Sequence, residues 1–421
     1  MTGDCPPRSN VRHNFVAGLL HGALYRAGIA FSEPMSVMPV FLSHFTGSLT
    51  MIGVFSALMQ GGGVLPQLFV ANRLEARRRK KPILVAAIWV RAAAWGILGL
   101  LAYFWTGADT AVVLVALVAL LFVFSFAGGV AAVPFTDLWG KALPATLRGR
   151  FFGHRQLWGG LLAVGSAWVV KRVLGDPSLS FPNNYGLLFL LSFTFIVLSY
   201  IALSSVREPD GEAAAASRPL GVFLRHSLGM LREDRDLGLL LATQLAIGSG
   251  SLAMPFYALY GKNELGLPLE EIGYLVGAQV VGAIVSNALW GELSDRVGNR
   301  SVIRLTGAIG LLVPLLALAS QHIVGPRLLI VVFALIGCAG SGAGIGFTNY
   351  LLEIAPASGR PAYVAIAGTV TGVSFLLPVA GGLFVDLWGY RAAFGLTAAA
   401  VGVGVALALA LGCVRGDSGE R

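Results

Sequence analysis

Stretches of about 20 predominantly apolar residues return along this chain at short intervals, separated by polar, glycine- or proline-bearing connections. A helix of that length covers the roughly 30 Å hydrocarbon core of a bilayer. The pattern predicts twelve such helices, at 14–43, 49–70, 82–106, 110–136, 152–172, 184–205, 237–260, 268–290, 301–320, 328–350, 362–386 and 391–413. In hydrocarbon every backbone N–H and C=O must find its partner inside the protein, so runs this long are helices. The expected fold class is an all-α membrane protein of 12 transmembrane helices in two pseudo-symmetric six-helix bundles. Residues 1–206 form the N-terminal six-helix bundle, 207–236 a cytoplasmic linker, and 237–421 the C-terminal six-helix bundle.

Composition sharpens this picture. Hydrophobic residues make up 56% of the chain and charged residues 12%, about half the roughly 25% of a soluble domain. The net charge of +9 raises the question of nucleic acid, and its distribution answers it. Twenty-three of the 30 Lys and Arg fall in one alternating set of loops and tails, against five (Lys171, Arg172, Lys262, Arg327, Arg391) at the opposite ends. By the positive-inside rule the first set is cytoplasmic. That places both termini in the cytoplasm of a bacterial inner membrane, makes the bilayer the partner of the basic surface, and removes nucleic acid. Cys5, Cys338 and Cys413 show no metal spacing and no disulfide framework.

The linker begins with polar and small residues and continues through Pro219. Leu220, Phe223, Leu224, Leu228 and Leu231 then follow helical spacing, with Arg225 and Arg232 for the polar side. This predicts either a helix lying on the inner leaflet or a simple tether.

The two halves repeat each other at matching loops. Asn72-Arg73-Leu74-Glu75-Ala76-Arg77 follows the second span, and Asp295-Arg296-Val297-Gly298-Asn299-Arg300 the eighth. Pro144–Arg148 follows the fourth span and Pro356–Arg360 the tenth. The run Gly291-Glu-Leu-Ser-Asp295-Arg296-Val-Gly298-Asn-Arg300 resembles the G-x-x-x-D-R-x-G-x-R signature of the major facilitator superfamily (MFS) of secondary transporters. The first-half copy departs from it at Leu68, Asn72 and Glu75. The stretch 133–155, VPFTDLWGKALPATLRGRFFGHR, is similar to a poorly characterised bacterial branch of that family.

The resemblance implies two six-helix bundles that rock about a central site by alternating access. It also implies a lock in which Asp295 caps the start of the fifth span, around Arg150 to Arg155, when the cytoplasmic side is closed. Gly291, Asp295, Arg296, Gly298, Arg300, Asn72, Arg73 and Arg77 form the gating motif, with Asp137, Arg150, Arg155 and Glu353 as gate partners. Positive-inside decoration around a turn glycine is the plainer reading.

Span 1 carries the residues most expensive to bury. Arg26 lies near its middle, and Glu33, seven residues on, projects from nearly the same face of an ideal helix. Intramembrane ionisable groups face a cavity or a partner. Burial favours the neutral form of a carboxyl group, so Glu33, beside Pro34, is the candidate for proton coupling. A structural pair with Arg26 or Arg91 is the alternative. Arg91 lies about 15 Å along span 3, placed to bind an anionic group or to neutralise Glu33 or Asp137. His21 is a further polar candidate.

The glycine run at 337–346 lies inside an apolar span, without the Lys-Ser/Thr of a nucleotide loop. No catalytic motif is present, so no enzyme activity and no cofactor are expected. The function expected is secondary transport of a small solute by a monomer, driven by a proton or other ion gradient. The alternative is a membrane assembly or pigment-delivery factor that uses the same fold without transporting.

Overall fold

The computed structural model describes residues 8–64, 66–67, 79–105, 107, 109–209, 234–322, 325–356 and 360–412. Its helices are α1 (Arg8–Ala30), α2 (Val37–Leu42), α3 (Leu49–Gly61), α4 (Lys81–Tyr103), α5 (Thr110–Ala142), α6 (Ala145–Leu174) and α7 (Asn183–Ser205). They continue as α8 (Arg235–Gly248), α9 (Phe256–Asn263), α10 (Ile272–Val297), α11 (Asn299–Ala319), α12 (Leu328–Ile354), α13 (Arg360–Ser374) and α14 (Leu377–Leu409). Among the described residues there is no strand, and nine helical segments are long and apolar enough to cross a membrane. Two of the twelve expected spans fall outside that measure. The α1 helix carries Arg12, His13, His21 and Arg26, and α3 is a shorter apolar helix. The interfacial helix expected after Pro219 lies outside the described residues.

The first span differs most from expectation. It is not one helix over 14–43: α1 stops at Ala30, residues 31–36 turn, and α2 begins at Val37. Pro34 has no N–H to donate and disfavours helical geometry at the residue before it. Elsewhere helices outrun the apolar pattern, because a helix does not end where hydrocarbon does. The α5 helix runs past 136 to Ala142, α6 starts at Ala145 instead of 152, and α10 reaches Val297. The seventh span is broken into α8, a 3₁₀ turn (Ser249–Leu252) and α9, which starts after Pro255. Within α14, Gly389 takes φ 80°, a conformation cheap only for glycine, so its two halves meet at a kink.

The chain forms two compact units. Met1–Phe41, Leu58–Ser217 and Leu269–Gly277 make the first, and Leu42–Ala57, Arg218–Pro268 and Ala278–Arg421 the second. The grouping therefore departs from a single cut at the linker, with 42–57 joining the second unit and 269–277 the first.

In the first unit α1 packs on α6 and α7, and α4 on α5 and α7. Close backbone approach replaces large side chains at key crossings: a Cβ on Gly129 would lie 2.0 Å from the Gly63 carbonyl oxygen. Small residues at such crossings are how membrane helices gain packing energy without a hydrophobic driving force between them. In the second unit α11 packs on α12 and α14, and α8 on α13 and α14. There Asp386 of α14 accepts hydrogen bonds from the N–H groups of Leu49 and Thr50, both 2.8 Å, and from the Thr50 and Ser48 hydroxyls. A carboxylate thus satisfies the open donors at the start of α3.

The start of α4 is held in the same way. Glu208, three residues past α7, accepts the N–H groups of Lys80 at 2.9 Å and Lys81 at 3.0 Å. Lys141 lies 3.6 Å from Glu208 and 2.5 Å from Asp137, which also takes Lys80 Nζ at 2.9 Å. The Glu208 side chain is only 4% exposed. Replacing it by alanine is expected to cost about 1 kcal/mol, the usual worth of a helix cap, with a smaller loss for Glu208→Gln. Thermal unfolding of the detergent-purified variants measures both, and equal midpoints for wild type and Glu208→Ala would rule this cap out as a stabilising contact.

Candidate functional site

The first unit holds a cavity of about 240 Å³, open on one side, among α1, α4, α5, α6 and α7. Its lining mixes cations and aromatic rings: His21, Tyr25, Arg91, Phe135, Arg155 and Tyr200, with aliphatic side chains between them. Each polar member is placed by a regular helix. His21 and Tyr25 are four residues apart on α1 and so share a face. Arg91 is ten residues beyond the start of α4 and Arg155 ten beyond the start of α6, roughly 15 Å along each helix at 1.5 Å per residue.

His21 is buried and closely tied to α7. The Ser199 hydroxyl donates to the His21 carbonyl oxygen at 2.9 Å, and its oxygen lies 2.6 Å from His21 Nδ1. A serine has one hydrogen to give, so the ring supplies the proton in the second contact and Nδ1 carries it. Tyr25 stacks on Tyr200, with centroids 6.1 Å apart and planes at 24°. Arg91 Nη2 donates to the Tyr25 hydroxyl at 3.0 Å, and the guanidinium lies over the Phe124 ring at 4.2 Å. Arg155 lies over Phe135 at 5.2 Å. Its side chain runs past Gly22, where a Cβ would come within 2.0 Å of Arg155 Nε. The glycine makes that seat.

Neither Arg91 nor Arg155 has a carboxylate within ion-pair distance among the described residues, and neither does Arg26, which donates to Gln156 at 2.8 Å. The expected alternative, a pair of Glu33 with Arg26 or Arg91, is therefore not formed. Its geometric premise also fails, because α1 ends at Ala30 and the helical phase does not carry to residue 33. Glu33 sits buried in the turn, its carboxylate accepting the Met35 N–H at 2.6 Å and the Ser36 hydroxyl at 3.2 Å. Asp137 does not neutralise Arg91 either; it pairs with Lys80 and Lys141.

The gating motif lies at the end of α10. Gly298 is the whole connection between α10 and α11, with φ 97°, which explains the glycine physically. Arg296 pairs with Glu292 at 2.8 Å, both exposed, and Asp295 is exposed. Ser294 donates to Asn299 at 2.6 Å, and Asn299 to Glu353 at 2.5 Å, joining α10, α11 and α12. Gly291 is on α10 and Arg300 in the first turn of α11, while Arg150 is an exposed residue of α6. Asn72, Arg73 and Arg77 lie outside the described residues.

Sequence reasoning missed Tyr25, Phe124, Phe135, Ser199 and Tyr200 as members of the site. Aromatic residues in apolar spans look like packing until a cation is seen over them. The apolar pattern puts Arg155 at the start of the fifth span, because it begins only at 152; the helix begins two turns earlier, at Ala145, which carries Arg155 to the level of Arg91.

Residues 239–419 match the sequence profile of the Major Facilitator Superfamily. The whole fold is similar to that of a bacterial homologue of the iron transporter ferroportin, with TM-score 0.71 over 96% of this chain and 98% of that one, at 15% identity. A variant of the nucleoside transporter NupG is similar in fold at TM-score 0.69 and 13% identity, over 96% of this chain and 99% of that one. The multidrug resistance protein MdtG of Proteus mirabilis (strain HI4320) is 30% identical over 166 residues, 37% of this chain. That stretch takes in 39% of MdtG, so the chain spans about two fifths of the length of this relative. The superfamily match contains the motif of α10, and the cavity of the first unit lies outside it.

Tyr25→Phe removes the hydrogen-bond acceptor of Arg91 and is expected to destabilise the protein by about 1–2 kcal/mol, the cost of stranding a buried charged donor. The thermal unfolding midpoint reads this directly. An unchanged midpoint would mean that Arg91 does not depend on the tyrosine.

Proposed function

We propose that this chain is a secondary active transporter of a small solute in the bacterial cytoplasmic membrane. In this reading twelve spans form two six-helix bundles, both termini are cytoplasmic, the monomer works by alternating access, and a proton gradient drives it. The observation that carries the reading is the cavity between the helices of the first unit, lined by Arg91, Arg155, Tyr25 and Tyr200 within a transporter fold. Residues this costly to bury are kept where they contact a permeating or bound species. Purified protein heated with a panel of metabolites and drugs tests it first. A ligand at 100 times its Kd stabilises by about 2.7 kcal/mol, and a hit lost in Arg91→Ala assigns the cavity.

Glu33 is the proposed proton carrier. Its support is a buried carboxylate at the break between α1 and α2, bonded to the turn it occupies. Protonation would remove its charge from those two donors and loosen the turn, a local event able to bias a conformational equilibrium. Once a solute is identified, Glu33→Gln in proteoliposomes is expected to abolish proton-driven accumulation while solute exchange continues. Accumulation at the wild-type level would exclude Glu33 from coupling.

Asp295 is the proposed lock residue, supported by its exposure at the end of α10 and by the one-residue turn at Gly298. Asp295→Asn is expected to slow transport several-fold with solute affinity unchanged. A variant that transports at the normal rate would leave the motif as a structural turn.

A further inference from the structure

The first unit's cavity has an excess of positive charge that nothing in its own lining offsets. Arg91 and Arg155 both face it, and among the described residues no carboxylate lies within ion-pair distance of either. Their ring contacts, with Phe124 at 4.2 Å and Phe135 at 5.2 Å, offset only part of the cost of removing a guanidinium from water. Two further donors in the lining are unused. Arg91 Nε is buried without a hydrogen-bond partner in the protein, and so is the Tyr200 hydroxyl, on a residue only 1% exposed. The seats are built into the backbone. Gly22 leaves the room that Arg155 fills, and a Cβ on Gly128 would come within 3.2 Å of Arg91 Cζ. The remaining lining, from Leu84, Ile88, Phe135 and Leu203, is apolar.

We propose that this cavity binds the oxyanion group, carboxylate or phosphate, of a small solute with an apolar or aromatic body, held between Arg91 and Arg155 with Tyr200 as a further donor. The inference rests on the transport reading and names the solute class for that same site. An oxyanion has enough lone pairs to accept from several of these donors at once, and charge-assisted bonds to guanidinium are the stronger kind. Neutral solutes would leave both charges uncompensated, and cations would be repelled. The aliphatic and aromatic walls fit the body of the solute.

Three probes of similar shape and different charge test the assignment on the full-length protein in nanodiscs of phosphatidylcholine: benzoate, benzamide and benzylamine, with phenyl phosphate as a second anion. Thermal unfolding and titration calorimetry read binding without requiring transport. Benzoate and phenyl phosphate are expected to stabilise the protein and to bind, while benzamide and benzylamine do neither. Arg91→Gln and Arg155→Gln are each expected to weaken anion binding by about tenfold or more, with Arg172→Gln, an exposed residue of α6 outside the cavity, unchanged. Arg91→Lys and Arg155→Lys keep the charge, guard against misfolding, and are expected to retain part of the affinity. Arg155→Gln without ligand should unfold at or above the wild-type temperature, because it removes a charge that the empty protein does not compensate; a purely structural arginine would give the reverse.

Equal effects of benzoate and benzamide, a preference for benzylamine, or no anion-specific effect at millimolar concentration would overturn the assignment. So would anion binding that survives both glutamine variants. The same cavity chemistry would also accept a lipid phosphate. Discs containing phosphatidylglycerol separate the two, since stabilisation by that lipid alone, with no response to the soluble anions, would overturn the solute assignment. Anion binding without uptake into proteoliposomes would leave this inference standing and remove transport. Uptake of a neutral or cationic solute without anion binding would do the opposite.

Discussion

The constraint on which this structure depends is that a polar group between apolar helices must find its partner inside the protein. For the backbone the answer is the helix itself, which is why long helices dominate the described residues. Helix ends cannot answer it alone, since their first N–H groups have no partner within the helix. Here distant carboxylates supply one. Glu208 closes the start of α4 within the first unit, and Asp386 closes the start of α3 within the second. Each ties together segments far apart in sequence, so the same bonds that satisfy helix ends also hold each unit's helices in place.

Where the helix is interrupted, a specific residue makes the interruption cheap. Pro34 removes a donor at the break after α1, and the Glu33 carboxylate accepts nearby groups of the turn that follows. Gly298 and Gly389 adopt positive φ, where a side chain would clash. These breaks put a carboxylate in a buried turn, set α11 directly after α10, and bend α14. The Trp95 indole, which donates to Ser192 at 2.9 Å, and the Ser192–Ser32 hydroxyl contact at 3.2 Å then anchor the turn after α1 to α4 and α7.

Side-chain charge is the part of the constraint that the first unit satisfies least. At the helix ends, Asp137 is matched by two lysines and Glu208 by the start of α4 and Lys141. The arginines of the cavity are met by a phenol and aromatic faces. Charge is thus balanced at the helix ends and left open in the cavity, which is the pattern of a site that completes itself with a ligand. In the proposed oxyanion site, stability and binding make opposite demands on Arg155, as they do at many sites where activity needs a strained or uncompensated group.

By itself the sequence determined the material and most of the architecture. Repeated apolar runs require membrane helices, the bias of Lys and Arg gives the expected topology, and the Gly291–Arg300 run carried the family resemblance into the stretch where the superfamily match lies. It also marked Arg91 and His21, because charge and imidazole stand out against an apolar background. What it could not supply was the partner of each. Helical phase placed Glu33 beside Arg26 only on the assumption of an unbroken helix, and hydropathy placed the start of α6 where the apolar residues start, not where its hydrogen bonds do. The site's tyrosines and phenylalanines are indistinguishable from packing residues in one dimension. Only the tertiary structure brought α1, α4, α5, α6 and α7 together and left two guanidiniums facing one cavity, because whether a charge is paired depends on distances between helices, and hydropathy along one helix does not encode them.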